Sequence, residues 1–556
     1  MLILGTLIII ISTFNLKTIK EIKEIYRIGI ILLLQIIIIL YDSIQLDVIR
    51  TGISLYNNMI VITSYTKLIE LLIFIITIIY IYIIKEYIYN IKIINNNEVS
   101  SQVGEGIILQ GSILKKNISN IEGLRGPIEL IILILLNILG IILFMQWNNI
   151  IVIFITLELQ SYTLYLITTI YNKSYNSTKS GLLYFLLGSV GSILILLGLV
   201  IIYYETGLIN LNDIYLMYNN NNNIILNNNN ILLSYIFILL GLFFKIGTAP
   251  FHNWLINIYA NTPTIITLWI SIIGKISILT VIYTLISNSS FIYNNIYNNI
   301  LINNNIIYNI PLLLSIISIL SIIFGAIGGL GQFTIKRIIG YSGLVNTGYF
   351  IYIILSNNNS TLSTYLFNIY QYSITHITWF ILILINGLYY NNYKTLNKLY
   401  NNLRPKSSIN VPIEFVKDLY GYIFINPYLG FSYIVVLSSL IGIPPLTGFY
   451  AKYYILLTGI NSSYLFIALL LLLSSALTAY YYIFIIKNII VTNNNNIEWK
   501  NFNKINKLQG SNINITPLLS IIISILIIFI LSITIGLDIA NNGTHIVESY
   551  YINNYV

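Results

Sequence analysis

Among 556 residues there is no cysteine, only 8% are charged, and histidine occurs three times. Without cysteine there can be no disulfide and no thiolate-ligated iron–sulfur cluster or zinc site. So little charge excludes an ordinary soluble globule, in which about 25% of residues are charged. No dinucleotide fingerprint is present either. Gly325, Gly328, Gly329 and Gly331 in GAIGGLGQF lack the third glycine of GxGxxG and the strand before it. They read instead as close helix packing or the end of a span. With no flavin or haem motif as well, the chain has nothing with which to carry electrons itself.

What fills the sequence is apolar. Hydrophobic residues make up 57%, the mean hydropathy is +0.83, and charge-poor runs recur to about position 537. This is the composition of an all-α polytopic membrane protein. The start, LILGTLIIIISTF, has no basic segment before it and no small-residue cleavage site after it, so it is read as a retained first span. Asparagine tracts such as 219–223 lack apolar periodicity and are expected in surface loops. The Ile, Asn, Tyr and Lys excess fits an AT-rich, organellar genome.

Runs long enough to cross a bilayer place fourteen spans near 2–15, 26–41, 68–90, 128–146, 149–171, 182–204, 231–256, 264–287, 311–330, 336–355, 362–389, 431–459, 463–487 and 516–537. Basic residues test this count, because they accumulate on the side where the chain is made. Most of the 27 follow odd-numbered spans, as do Lys17, Lys20, Lys115, Lys116 and Lys398. Only Arg50 and Lys67 fall on the other side, together with Asp42, Asp47, Glu205, Asp213, Asp538 and Glu548. Both termini are therefore expected on the outer side. The net charge of +9 is an orientation signal and predicts no nucleic-acid partner.

Lys245, Lys275 and Lys452 have no loop to sit in, and Glu158 is their acidic counterpart inside the fifth span. An ionisable group at a helix centre costs roughly 2.5–3.5 kcal/mol on insertion scales. Two readings follow. Glu158 and one lysine could form an ion pair that clips two helices together, which leaves two lysines over. Alternatively all four line a hydrated path, since an ammonium without a partner in a dry interior readily gives up its proton.

Pro250, five residues after Lys245, has no N–H for the carbonyl of Ile246, so the seventh span should break there. Pro444 and Pro445, with Gly442 and Gly448, break the twelfth near Lys452. Non-helical backbone at membrane depth is tolerated where it lines a cavity, and two such breaks in corresponding positions point to an ion site between inverted repeats. Spans four to eight and nine to thirteen form two sets of five, each with its broken helix fourth. The opposite order of lysine and proline in the two breaks would then place both lysines on the outer side of their breaks.

GLFFKIGTAPFHNWL (241–255), NTPTIITLWISIIGK (261–275), IKRIIGYSGLVNTGY (335–349) and GIPPLTGFYAKYY (from 442) resemble the signature segments of the antiporter-like subunits of respiratory complex I. The likeness covers roughly 126–490. Three spans ahead of this core resemble the fourteen-helix form of fungi and bacteria, and asparagine-rich loops favour a fungal mitochondrion. The resemblance implies an N-terminal extension over 1–125, five-span repeats over 126–300 and 301–500, and a final span and tail over 501–556. It implies a proton relay in which Glu158 pairs with Lys245, Lys275 is the central group and Lys452 ends the lateral path. NADH, flavin, iron–sulfur clusters and ubiquinone would belong to partner subunits, and the neighbours would be other membrane-arm and accessory subunits, with no cofactor or metal here. The location would be the mitochondrial inner membrane, among lipids, with both termini in the intermembrane space.

A cation/proton antiporter, alone or in a transporter complex, is the alternative, because similar broken helices and buried lysines would serve it. A polytopic transferase would need paired acidic residues that the outer loops lack, and a purely architectural subunit would keep the same spans. His252 matches the family's PFH segment and could cap, anchor or take up protons. His376, inside the eleventh span, reads as a packing histidine or a water-path residue. His545 is expected in solvent. Lys336 and Arg337 open the tenth span, where snorkelling to the interface is the default.

Overall fold

The computed structural model describes residues 2–3, 5–7, 19–44, 52–101, 125–171, 174–220, 228–303, 310–356, 361–397, 414–424, 426–491 and 517–531. Helices occupy nearly all of them: α1 (Ile19–Ile44), α2 (Ser64–Ser101), α3 (Arg125–Met145), α4 (Ile150–Thr169), α5 (Tyr175–Thr206) and α6 (Leu211–Asn220). There follow α7 (Asn228–Ile246), α8 (Asn253–Asn261), α9 (Thr264–Asn303), α10 (Ile310–Leu330), α11 (Ile335–Ser356) and α12 (Thr361–Asn397). The last are α13 (Pro427–Ile441), α14 (Thr447–Asn461), α15 (Leu465–Ile490) and α16 (Pro517–Leu531). Among the described residues eight helices are long and apolar enough to cross a membrane, and four shorter apolar ones accompany them.

The expected first span lies largely outside the described residues, as do much of the 390–430 loop, part of the 219–223 tract and the tail with His545. The eleventh expected span forms as α12 but is not among the eight. Asn368, Gln371 and His376 dilute its hydropathy, and between 361 and 386 it is covered by neighbouring helices on nearly every side. With α9 and α11 it makes the centre of the molecule. The periphery is made by α5 and α15, which expose rows of Leu, Ile, Val and Tyr, as helices facing lipid or a partner do.

One departure from an all-helical chain lies between α1 and α2. Strands β1 (Ile53–Leu55) and β2 (Ile60–Ile62) pair antiparallel, with Ile53 opposite Ile62. Tyr56, Asn57 and Asn58 make the turn with φ of 54°, 55° and 63°, a left-handed conformation that asparagine tolerates better than most residues. The hairpin continues onto the core, since Val61 N donates to Gln146 O at 2.8 Å and Asn148 N to Met59 O at 3.0 Å.

Polar residues inside the helices satisfy themselves locally. Thr156, Ser180, Ser318 and Thr364 each return the hydroxyl to a carbonyl three or four residues earlier, so they add little cost in a medium without water. Helices approach closely where both carry glycine. A Cβ on Gly198 would lie 2.7 Å from Ser234 O, and one on Gly241 2.7 Å from Gly191 O, which fastens α5 to α7. Three of the GAIGGLGQF glycines also admit close neighbours: Gly325 abuts Val345, Gly328 abuts Tyr341 and Gly329 abuts Tyr481.

Both expected interruptions are present. The α7 helix stops at Ile246, Gly247 turns left-handed at φ 73°, and helix resumes at Asn253. The α13 helix starts after Asn426, which caps it by accepting from Leu429 N, and stops at Ile441. Gly442 then takes φ 90° and helix resumes at Thr447. Each break contains a cis peptide, Ala249–Pro250 and Pro444–Pro445.

At the second break α14 returns so close to α13 that a Cβ on Gly448 would lie 1.7 Å from Ser439 O. Gly448→Ala is expected to lower stability by about 1–3 kcal/mol through overpacking, read as a lower thermal midpoint of the solubilised protein. Gly331→Ala, where nothing lies within 4 Å, is expected to leave it unchanged. Equal midpoints would show that the two half-helices are not in fixed contact.

Candidate functional site

Three helices are stitched together before any charge is considered. Asn137 of α3 donates from Nδ2 to Gln160 O at 3.0 Å and to Thr163 Oγ1 at 2.8 Å, and its Oδ1 accepts from Trp269 Nε1 at 3.0 Å. Gln160 Nε2 donates to Ser277 Oγ at 2.7 Å. These bonds fix the rotation of α4 against α9, and so the direction in which Glu158 points.

Glu158 lies in the middle of α4, and its Oε1 accepts from Lys245 Nζ at 3.1 Å. Their side chains are 15% and 6% exposed, so bulk water screens the pair little. Lys245 occupies the last turn of α7, immediately before the break. Its stem rests on α5 at Gly191, whose absent Cβ would come within 3.1 Å of the lysine Cγ.

Lys275, 3% exposed, makes no ion pair or hydrogen bond with any described residue. Its Nζ stands 5.7 Å from the Tyr259 ring centroid. A Cβ on Gly343 would lie 2.8 Å from the same Nζ, so glycine leaves the room the ammonium needs. Lys245 and Lys275 line one cavity of about 30 Å³ with Gln160, Tyr165, Trp254 and Tyr259, a size that admits a water molecule. Gln160 Oε1, Trp254 Nε1 and Tyr259 OH are buried there without a hydrogen-bond partner among the described residues. The cavity thus sets room for water between two lysine side chains and beside three polar atoms that have no partner among the described residues.

His376 is fully buried on α12. Its Nε2 lies 3.3 Å from Asn346 Nδ2, its Nδ1 has no hydrogen-bond partner among the described residues, and its ring packs 4.3 Å from that of Tyr372. It stands within electrostatic reach of Lys275. The α12 helix packs against both α9, which carries Lys275, and α14, which carries Lys452.

Lys452 reaches back across the second break. Its Nζ donates to Leu440 O at 3.2 Å and Ile441 O at 2.7 Å, the carbonyls left free where α13 ends, where the helix dipole also favours a cation. A cavity of about 40 Å³ lies beside it, lined by Tyr349 and Ser475 among apolar residues. Pro250, Pro444 and Pro445 thus sit in the segments that separate each lysine's helix from its other half.

Of the roles open to His252, side-chain capping is not the one its geometry shows. It holds the N-cap position of α8, but its side chain makes no cap hydrogen bond. Its Nδ1 lies 3.3 Å from Pro250 O and its ring stacks on Phe324 at 5.4 Å. Lys336 departs further: expected to snorkel, it is 6% exposed, and its Nζ donates to Thr262 O at 2.5 Å. The carbonyl at the end of α8 is a nearer partner than the interface. Arg337 is exposed, as expected.

Sequence reasoning passed over Glu70, which is buried beneath Lys67 at 2.8 Å and accepts from Gln146 Nε2. An i,i+3 pair at the start of a span looks like an interfacial one, and only the fold shows that α3 covers it.

The chain matches the family "NADH:quinone oxidoreductase/Mrp antiporter, TM" over residues 148–478. NADH-ubiquinone oxidoreductase chain 2 of Rhizopus oryzae is 30% identical over 470 residues, covering 83% of this chain and 80% of that one. The chain 2 of Wickerhamomyces canadensis is 44% identical over 332 residues, 58% of this chain and 54% of its own length. NADH-quinone oxidoreductase subunit N of Pelagibacter ubique is 32% identical over 345 residues, 62% of this chain and 64% of that one. In fold the chain is similar to one in respiratory complex I from Thermus thermophilus, with a TM-score of 0.67 at 17% identity over 97% of each chain. It is also similar to one in the Mrp complex from a Dietzia species, with a TM-score of 0.67 at 14% identity over 100% and 98%.

Removing one partner of a buried pair strands the other, at a cost of about 3–5 kcal/mol. Glu158→Gln and Lys245→Met are therefore each expected to lower the unfolding midpoint of the solubilised protein more than the double variant does. Additive midpoints would show that the two groups do not form a pair in the folded protein.

Proposed function

From the premise that the chain belongs to the NADH:quinone oxidoreductase/Mrp antiporter transmembrane family, we propose that it moves protons as a membrane-arm subunit of respiratory complex I. It corresponds to the chain-2 type of a fungal mitochondrion. The observation that carries this reading is the single cavity shared by Lys245 and Lys275, with Glu158 paired to the first of them.

In this reading Glu158 is the input. A carboxylate about 4 Å from an ammonium contributes on the order of 4 kcal/mol at an effective dielectric of about 20, and doubling the distance halves that. A displacement of Glu158 therefore withdraws the interaction that holds a proton on Lys245. The proton passes through the cavity to Lys275, which has no anionic partner among the described residues to hold it as an ammonium. His376 on the far side, its ring held beside Asn346, carries it toward Lys452, which donates to the carbonyls of Leu440 and Ile441. Electron transfer from NADH to ubiquinone takes place on flavin and iron–sulfur groups in partner subunits. Their conformational output reaches this chain as a shift of charge.

The finer architecture belongs to the same proposal. Fourteen spans, with an N-terminal extension over 1–125, inverted five-span repeats over 126–300 and 301–500 and a last span with its tail over 501–556, place both broken helices fourth in their sets. The chain lies in the mitochondrial inner membrane with both termini in the intermembrane space. Lys245 precedes its break and Lys452 follows its own, so in helices of opposite direction both stand on the outer side.

Lys275→Ala is expected to leave the complex assembled, to lower NADH-driven proton transport into sealed vesicles by roughly tenfold or more, and to reduce the proton-to-electron ratio. An assembled variant with an unchanged ratio would refute the relay. Ion exchange by the isolated chain in vesicles, without NADH or partners, would favour the antiporter reading instead.

A further inference from the structure

Lys336 is a buried cation that this row does not use. It opens α11, and its Nζ donates to the carbonyl of Thr262, the residue that ends α8. On one side it meets the surface: the exposed Glu414 lies within electrostatic reach, and Glu414 O accepts from Ile335 N at 3.0 Å. The distribution of basic residues puts this end of α11 on the inner side of the membrane.

On the other side it looks along a helix face toward Lys275. An α-helix advances about 1.5 Å and turns about 100° per residue. Gly340 and Gly343, four and seven residues after Lys336, therefore lie on its face, about 6 and 10 Å further along the axis. Neither carries a side chain, and at Gly340 the room is taken by Ile256, 3.5 Å from where a Cβ would be, together with Tyr259. The Tyr259 ring lies 3.5 Å from where a Gly340 Cβ would be, and Lys275 Nζ 2.8 Å from where a Gly343 Cβ would be. Tyr259 OH is buried without a hydrogen-bond partner among the described residues, and the same ring stands 5.7 Å from Lys275 Nζ. The α8 helix thus sets Thr262 against Lys336 and Tyr259 against Gly340, with Lys275 next in line.

We propose that Lys336 is the inner-side loading group of the relay, passing protons to Lys275 along the Gly340–Gly343 face with the Tyr259 hydroxyl as the intermediate step. The proposal rests on the reading of Lys275 as a relay group. The Lys336 ammonium gives up one proton, the hydroxyl accepts it while releasing its own, and the neutral amine of Lys275 becomes the ammonium. Lys336, left as an amine, takes its next proton from water beside Glu414. A lysine that merely capped α8 would need none of this, because Thr262 O requires only a donor.

Arginine separates the two roles. It keeps a cationic donor for Thr262 O but does not release its proton in proteins. In the assembled complex in sealed vesicles, Lys336→Arg is expected to slow NADH-driven proton transport by about tenfold while assembly stays at the unsubstituted level. Unchanged transport in an assembled Lys336→Arg complex overturns the proposal. If the bulk of arginine prevents assembly, Tyr259→Phe decides: it keeps the ring and removes only the hydroxyl. Severalfold slower transport supports the route and an unchanged rate overturns it. Lys275→Ala, measured alongside, keeps the failures apart. Full transport in that variant refutes the relay itself, whereas its loss beside a normal Lys336→Arg refutes only the loading role.

Discussion

Inside a bilayer neither a charge nor a backbone amide can turn to water for a partner, and the rest of this structure depends on how that need is met. Most of the chain meets it with unbroken helix and hydroxyls that return to their own carbonyls. Where helix is given up, at 247–252 and 442–446, a lysine stands within a turn or two of the break. At the second break the relation is direct, because Lys452 takes the carbonyls that the end of α13 leaves open. At the first, Lys245 takes a carboxylate from another helix instead.

The three lysines consequently differ in what holds their charge. Lys245 has an anion, Lys452 has two carbonyl dipoles, and Lys275 between them has an aromatic face and the edge of a cavity. Identical environments would leave a proton no reason to move when one of them is perturbed. In the proposed relay a graded set responds to a change at one end, because a loss of the Glu158 interaction alters Lys245 and leaves its neighbours as they were. Glycine at 191, 343 and 442 makes room for each lysine in turn, so the spacing of small residues is part of the charge chemistry.

Much of this was legible in the sequence because membrane insertion makes buried charge conspicuous. Glu158, Lys245, Lys275 and Lys452 stood out against apolar runs, and Pro250 and Pro444 marked the breaks to within a few residues. What stayed hidden has local causes. The Asn-rich turn of the 53–62 hairpin looks like any polar loop, since its order depends on pairing with Gln146 and Asn148. Glu70 and Lys336 lie at span ends, where a charge normally reaches the interface, and only α3 and α8 packing over them makes them interior. Gln160, two residues from Glu158, carries no charge to mark it in an apolar run, and only the fold sets its oxygen, unpaired among the described residues, in the lysine cavity.

The central claim is that Glu158, Lys245, Lys275, His376 and Lys452 form one hydrated line through the protein. A cryo-electron microscopy map of the assembled complex during NADH turnover, at a resolution that shows ordered water, tests it most directly. The account predicts waters joining the Lys245–Lys275 cavity to His376, and His376 to Lys452, at hydrogen-bonding separations in at least one turnover state. Apolar side chains closing the gap between Lys275 and Lys452 in every state would contradict it.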